Sequence, residues 1–232
     1  MTDSSHHDVA TYPVSIRAGV ALVHADLALP DDARGLVLFA HGSGSSRFSR
    51  RNRAVAAALQ AAGFATLLVD LLTQREEAED ADTGRHRFDI ELLAARVAAA
   101  TDWLAHDPRT RSLPIGYFGA STGAAAALLA AARRPERVQA VVSRGGRPDL
   151  AGLRLRQVRA PTLLVVGGDD PEVLQLNRLA QRELGGQTAL TVVPGATHLF
   201  EEHGALDAVI AAAIEWFIEH LKGTPVGHSP GW

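Results

Sequence analysis

Short apolar runs alternate along this chain with longer segments in which apolar residues recur every three or four positions. Apolar runs of about five residues are typical of buried strands. The longer spacing is typical of helices that pack one face against a neighbouring layer. The alternation of the two therefore predicts an α/β fold, with a mostly parallel sheet covered by helices on both faces.

The predicted elements end where glycine, proline or charged residues interrupt the apolar pattern. An antiparallel pair opens the chain and six further strands follow: Val14–Arg17, Val20–Leu29, Leu36–Ala40, Thr66–Leu71, Ile115–Phe118, Val138–Ser143, Thr162–Val166 and Thr188–Val193. The predicted helices are Arg53–Ala62, Asp89–His106, Thr122–Ala132, Pro171–Leu184 and Leu206–Leu221.

No linker long enough to separate two domains interrupts this alternation, so we predict one domain over residues 1–232. Residues 1–12 and 223–232 are expected to form flexible or irregular tails. The acidic run Glu76–Asp82 lies between a predicted strand and a predicted helix. We expect a solvated loop there; the alternative is that residues 74–87 form a mobile flap beside the functional site.

Charge and composition exclude several classes of function. Lys and Arg number 23 against 26 Asp and Glu, a net charge of −3, which gives no basic surface for nucleic acid or an anionic membrane. The absence of cysteine excludes disulfides, thiolate nucleophiles and Cys-ligated zinc. Since no His, Asp and Glu cluster has ligand spacing, we expect neither metal nor cofactor.

Targeting signals are also missing from the pattern. Met1–Asp8 is polar and lacks the apolar core of a secretory signal. No apolar stretch reaches the roughly 20 residues that a membrane-spanning helix requires. We therefore expect a cytoplasmic protein; the sequence does not indicate its oligomeric state.

The most informative motif is Gly119-Ala120-Ser121-Thr122-Gly123, which lies between a predicted strand and a predicted helix. This is G-x-S-x-G in the strand–turn–helix setting of a nucleophile elbow. The flanking glycines allow a sharp turn, and the helix N-terminus favours developing negative charge. The motif predicts that Ser121 is a nucleophile.

A serine nucleophile requires a base and an acid that orients the base. His198 follows the last predicted strand and is the candidate base. Asp169 and Asp170 both follow the strand before it. We favour Asp170, which precedes Pro171 where the chain turns, and assign Asp169 to a cap or turn.

The oxyanion hole is predicted to combine two backbone N–H groups. One belongs to Thr122, the residue after the nucleophile, and the other to Ser43, in the loop after Leu36–Ala40. His41 in the same loop could be catalytic, but we assign it the structural role of shaping the loop.

Arginines near two strand ends are candidates for substrate binding. Residues 46–53 contain four of them, and Arg144 follows another strand. A solvated face is the ordinary interpretation of such a run. The alternative is that Arg50 and Arg144 face the cleft and bind a substrate carboxylate or phosphate.

With these residues in place, the chain resembles the α/β-hydrolase superfamily, most closely its dienelactone-hydrolase-like group. The resemblance runs from Leu36–Gly44 to Ala196–His198 and includes Gly116–Ala124 and Ser143–Leu150. It implies an α/β-hydrolase fold with little or no cap domain, and it assigns the triad to the same three residues. Similar proteins also occur fused to phosphoribosyltransferase domains.

The resemblance has one departure, since true dienelactone hydrolases use a cysteine nucleophile. The sequence therefore predicts a serine hydrolase that cleaves a small carboxylic ester or lactone, with a small molecule as its only expected partner. The same triad could instead serve acyl transfer, perhydrolysis or thioester cleavage. A non-catalytic binding or regulatory protein of this fold is the third interpretation.

Overall fold

The computed structural model describes residues 9–222 and contains one eight-stranded sheet. The strands are β1 Ala10–Ala18, β2 Ala21–Leu29, β3 Leu36–Ala40, β4 Ala65–Val69, β5 Ile115–Ala120, β6 Val138–Arg144, β7 Thr162–Gly167 and β8 Thr188–Val193. Their spatial order is β1-β2-β4-β3-β5-β6-β7-β8. The six strands from β4 to β8 in this order are parallel, and β2 pairs antiparallel with both β1 and β4.

Helices cover both faces of the sheet. They are α1 Arg50–Ala61, α2 Gln74–Thr83, α3 Ile90–His106, α4 Thr122–Arg133, α5 Pro171–Glu183 and α6 Ala205–His220. Residues of α1 and α6 belong to the core on one face, and residues of α3, α4 and α5 to the core on the other. The architecture is the predicted α/β-hydrolase fold, without a cap domain among the residues described.

β3 shows why the central strands contain only apolar residues. All five of its residues are buried, with Leu36, Leu38 and Ala40 facing one core and Val37 and Phe39 facing the other. A strand with helices on both sides has no solvent face, so its sequence is a continuous apolar run.

Two predictions about irregular segments are wrong. Residues 10–12, assigned to a tail, belong to β1, where Ala10 pairs with Leu29 and Thr11 with Ala28. Val9 lies just before β1 and belongs to no helix or strand, and residues 1–8 and 223–232 lie outside the described residues.

The acidic run is helix α2 and not a loop. Thr73 and Glu76 form a capping box at its N-terminus, and Gly84 ends it in the left-handed conformation. Acidic residues in the first turn favour such a helix because they oppose the positive end of its dipole. Asp80 is buried and accepts hydrogen bonds from the backbone N–H groups of His86 and Arg87, which fixes the connection to α3.

An irregular segment that the pattern did not predict follows β6. Pro148–Gln157 forms 3₁₀ turns kinked at Gly152, whose φ is 54°. The segment packs on α4 and α5.

Candidate active site

Ser121 occupies the sharp turn between β5 and α4 at the carboxyl end of the sheet. Its φ of 51° and ψ of −123° lie in a region that non-glycine residues rarely adopt. Such a conformation costs about 1–3 kcal/mol and persists only where surrounding structure holds it. Here its N–H donates to the carbonyl of Arg144 at 3.2 Å, and its own carbonyl accepts from Arg147 N–H at 3.1 Å.

The two glycines of the motif leave no room for a side chain. A Cβ on Gly119 would lie 2.5 Å from Cα of Ala124 in the following helix. A Cβ on Gly123 would lie 2.3 Å from the carbonyl oxygens of Ala40 and His41. The close packing of β3, β5 and α4 therefore explains the glycines at both positions.

His198 and Asp170 reach Ser121 from two separate strand ends. His198 Nδ1 lies 2.7 Å from Oδ2 of Asp170, and His198 Nε2 lies 3.4 Å from Oγ of Ser121. With Nδ1–H donating to the carboxylate, Nε2 is left to accept the serine proton. The three predicted residues thus form one chain of hydrogen bonds.

The local backbone explains why Asp170, and not Asp169, faces the histidine. The N–H of Asp169 donates to Ala196 in the loop that holds His198, while the Asp169 side chain is exposed. Asp170 precedes the first residue of α5, and its side chain is directed to His198 without capping the helix. Gly167 allows the two loops to approach, since a Cβ there would lie 2.2 Å from the Ala196 carbonyl oxygen.

The loop after β3, residues 41–46, which we call the oxyanion loop, lies against the elbow. A Cβ on Gly42 would be 3.1 Å from Cβ of Ser121, and the hydroxyls of Ser43 and Thr122 are 2.9 Å apart. Thr122 is the first residue of α4, so its N–H has no acceptor within the helix. The two residues predicted to supply oxyanion donors therefore lie side by side next to Ser121.

His41 shapes this loop. Its Nε2 accepts the N–H of Leu71 at 3.0 Å, so Nδ1 carries the proton and donates to the Gly42 carbonyl at 2.9 Å. Burial lowers the pKa of His41, which keeps the ring neutral and preserves both bonds. These contacts agree with a structural role and keep His41 away from the chain of hydrogen bonds at Ser121.

Arg144 ends β6 and lines a cavity of about 180 Å³ together with Ser121 and His198. The residue is only 8% exposed. Within the described part of the chain, its Nε and Nη1 atoms are buried and have no hydrogen-bond partner. Burial, and then the charge of Arg51, lower the pKa of Arg144 to about 10, so it is still a cation at neutral pH.

The prediction for Arg50 is not supported by its position. Arg50 is exposed at the first turn of α1 and does not line this cavity, whereas Arg51 and the buried Asn52 do. Ser49 accepts the N–H of Asn52 and caps the helix three residues earlier than predicted. Arg51 lines the cavity together with Ser121 and donates to Glu201 at 2.6 Å.

Residues 9–222 contain neither a membrane-spanning helix nor a metal-binding cluster. No helix there combines the length and apolar character needed to cross a membrane. In the same range, no three His, Asp or Glu side chains are grouped so that they could hold a metal ion.

A mostly parallel sheet with a serine at a strained strand-to-helix turn places this protein in the α/β-hydrolase fold class. A family model described as "Dienelactone hydrolase family" matches residues 23–221. The chain belongs to the dienelactone hydrolase family. Fold and family together support a hydrolase.

Two kinds of relative extend this result. The crystal structure of dienelactone hydrolase from Anabaena variabilis is 57% identical, with a TM-score of 0.91, and the match covers 93% of this chain and all of that one. Est1E from Butyrivibrio proteoclasticus shares only the fold, at 18% identity and a TM-score of 0.74 over 89% of this chain and 98% of that one.

Two Mycobacterium tuberculosis sequences, from strains H37Rv and CDC 1551, are each 60% identical to this chain over 210 residues. Both carry the name "Putative phosphoribosyl transferase". The match covers 90% of this chain and 46% of each relative. The chain therefore spans about half the length of these curated relatives.

Proposed function

We propose that this protein is a serine hydrolase that cleaves a small carboxylic ester or lactone through an acyl-enzyme on Ser121. The observation that carries the proposal is the hydrogen-bonded chain from Ser121 through His198 to Asp170, with the serine held at the elbow. The 3.4 Å distance from His198 to Ser121 is long for a hydrogen bond, as is common before substrate binds.

In the acylation step, Ser121 Oγ attacks the ester carbonyl while His198 Nε2 takes its proton. Asp170 accepts the Nδ1–H of His198, which fixes the tautomer and stabilises the imidazolium. The backbone N–H groups of Ser43 and Thr122 stabilise the tetrahedral oxyanion.

Collapse of this intermediate breaks the bond to the alkoxy oxygen, which receives the proton from His198 and leaves as an alcohol. In deacylation, a water molecule gives its proton to His198 and attacks the acyl carbonyl. The second intermediate releases the carboxylic acid, and the proton returns to Ser121 Oγ. No metal or cofactor is required by these steps.

Arg144 supports a substrate that carries an anionic group. A buried cation without a partner costs several kcal/mol, and a carboxylate or phosphate on the substrate offsets that cost. Arg51 in the same cavity adds a second guanidinium, although Glu201 already neutralises part of its charge. We assign Arg144, assisted by Arg51, to this role in place of Arg50.

The test uses a fluorophosphonate probe and p-nitrophenyl acetate. We expect a burst of p-nitrophenol, and mass spectrometry should find the probe on Ser121. Ser121→Ala should lose both signals, while Ser112→Ala, which changes an exposed serine remote from the cleft, should retain them. Hydrolysis that survives Ser121→Ala unchanged would contradict the proposal and favour a binding role for the fold.

The acceptor can be determined in the same assay. Methanol, hydrogen peroxide or a thiol added to the reaction competes with water for the acyl-enzyme. Product analysis then separates hydrolysis from acyl transfer and perhydrolysis. Hydrolysis is the expected main reaction because the cleft is open to solvent and lacks a cap among the described residues.

A further inference from the structure

A second cavity, of about 360 Å³, adjoins the oxyanion loop. It is bounded below by the carboxyl end of β4 and above by α2, and Leu93 of α3 and Thr122 of α4 contribute to its wall. Ser121, His198 and Arg144 do not line it. Gly42, Ser43 and Ser45 line both this cavity and the one that holds Arg144, so the two cavities share the oxyanion loop as a wall.

The strand order places the two cavities on opposite sides of Ser121. Neighbouring strands run in the order β4-β3-β5-β6. The second cavity lies over the end of β4, and Arg144 lies at the end of β6. The oxyanion loop follows β3 and Ser121 follows β5, so both lie between the two cavities.

Proton transfer decides which half of an ester lies on which side. The leaving oxygen must be adjacent to His198 Nε2, because it receives its proton from that atom. His198 lines the cavity of Arg144 and not the second cavity. With the carbonyl oxygen directed at the N–H groups of Ser43 and Thr122, the remaining substituent, the acyl chain, is directed to the opposite side.

We infer that the second cavity is the acyl subsite of the enzyme, and that it takes a short, uncharged aliphatic acyl group. The inference rests on the proposed function. The apolar lining of the second cavity comes from the end of β4, from α2 and from α3: Leu71, Leu72, Ala81 and Leu93.

The polar groups in the cavity favour an uncharged acyl chain. Asp80 and Arg87 form an ion pair at 2.7 Å, so neither charge is left for a ligand. Glu77 is a further carboxyl group at the wall. Burial, and then the charge of Asp70, raise its pKa, while the charge of Arg47 opposes them without forming a salt bridge to Glu77 in the described part of the chain. The charge of Glu77 repels an acyl chain that ends in a carboxylate, while the leucine side chains favour methyl and methylene groups.

The test compares two alanines of the same helix. Ala81 and Ala78 of α2 are both exposed, but Ala81 lines the cavity and Ala78 lines none of the cavities described. For each protein, kcat/KM is measured with p-nitrophenyl acetate, butyrate, hexanoate and hemisuccinate. In the wild type, each buried methylene should raise kcat/KM about fourfold until the cavity is full. Hemisuccinate should be hydrolysed at least tenfold less efficiently than butyrate.

Ala81→Phe should lower kcat/KM for butyrate and hexanoate at least tenfold and leave acetate within about twofold, since an acetyl group does not reach the ring. Ala78→Phe should match the wild type with all four esters. A second series varies the alcohol at constant acetyl, with phenyl and 2-naphthyl acetate, and Ala81→Phe should leave the ratio of these two rates unchanged.

Three results would overturn the inference while leaving the proposed function intact. These are equal loss on acetate and hexanoate in Ala81→Phe, no loss on either, and a loss that follows the size of the alcohol instead of the acyl group. The proposed function fails by a different result, namely acetate hydrolysis that does not depend on Ser121, and the acyl subsite then fails with it.

Discussion

Two arginines of this protein are almost equally buried but have opposite surroundings. Arg96 of α3 is 6% exposed, and its terminal nitrogens donate to the carbonyl of Ala18 at 2.8 Å and to Glu76 at 2.7 Å. Arg144 is 8% exposed and faces no carboxylate among the described residues, while Arg51 adds like charge nearby. Arg96 is paired with a carboxylate within the described part of the fold, and Arg144 is not.

The difference in pairing suggests a different role for each arginine: Arg96 stabilises the fold, and Arg144 is available to a ligand. Arg96 connects the turn of the β1–β2 hairpin to α3 and α2, so its charge is used to hold three segments together. Arg144 lines the cavity with Ser121, and its guanidinium lies 5.9 Å from the centre of the Phe200 ring without an ion pair among the described residues. An unpaired buried charge that destabilises a fold persists where a ligand uses it.

The largest effect is expected from the acid beside His198. Asp170→Asn keeps the shape of the side chain but removes the charge that fixes the histidine tautomer, so kcat should fall about 10³–10⁴-fold. The measurement is the steady-state hydrolysis of p-nitrophenyl acetate. Asp169→Asn is the control and should stay close to wild type, because only the backbone of Asp169 contacts the histidine loop. Equal losses in both variants would refute the assignment of Asp170.

The next effect concerns Arg144 itself. Arg144→Met should reduce kcat/KM about 100-fold for 3-acetoxybenzoate, whose leaving group carries a carboxylate, because a buried charge-assisted contact is lost. Phenyl acetate, which lacks that charge, should be hydrolysed at nearly the wild-type rate. The midpoint of urea unfolding should stay the same or increase, since the variant removes an unpaired buried charge. A variant that loses activity on both esters equally would argue against an anion subsite.

Arg96→Met should show the opposite behaviour. Removing this cation leaves Glu76 and the Ala18 carbonyl without their partner, and the free energy of unfolding should fall by about 3 kcal/mol. The ratio of kcat/KM for 3-acetoxybenzoate and phenyl acetate should remain that of the wild type. Urea unfolding and the two-substrate assay together check this, and the contrast between the arginines disappears if Arg144→Met proves the less stable variant.

The smallest effect is the pH dependence of the free energy of unfolding that arises from Glu76, the partner of Arg96. Partial burial of Glu76 would raise its pKa, but the N–H of Thr73 and the charge of Arg96 outweigh burial and lower it. The native state then binds fewer protons than the unfolded state, so the ion pair stabilises the protein above about pH 4.3 and the contribution is lost as pH falls below it. The stability gap between wild type and Glu76→Gln, about 1 kcal/mol at pH 7, should close by pH 3 in urea unfolding curves. A gap that is constant with pH would assign it to packing.

Much of the central architecture could be predicted from the sequence, because the residue pattern of the central strands and of the turn at Ser121 is compatible with only one local structure. An apolar run such as β3 can only be a strand buried on both faces, and Gly119 and Gly123 bracket a serine in a turn that tolerates few other residues. The chain order of serine, acid and histidine at successive strand ends then indicates which side chains meet. The strand ends that hold Ser121, Asp170 and His198 follow from the topology, whereas the choice of Asp170 over Asp169 depends on the local backbone.

The parts that could not be predicted lack apolar periodicity. Helix α2 has almost no apolar residues, so its sequence signal is confined to the capping box Thr73–Glu76 and to Gly84. The missed start of α1 at Ser49 had a similar cause. Arg51 faces the cavity and Arg50 is exposed, and a run of neighbouring arginines gives no sequence signal of which one does so. Where a surface helix lacks an apolar pattern, its capping residues are the main sequence signal of where it begins and ends.

The tight packing around the elbow has a consequence for anyone who wishes to alter the specificity of this protein. Directed evolution gains nothing at positions 119 and 123, where any side chain would collide with backbone atoms. Substitutions are tolerated better in the walls of the two cavities on either side of Ser121. One such position is Ala81, which lines the second cavity. New catalysts made from this fold will therefore differ in their helices and loops, and all of them will keep the turn from Gly119 to Gly123.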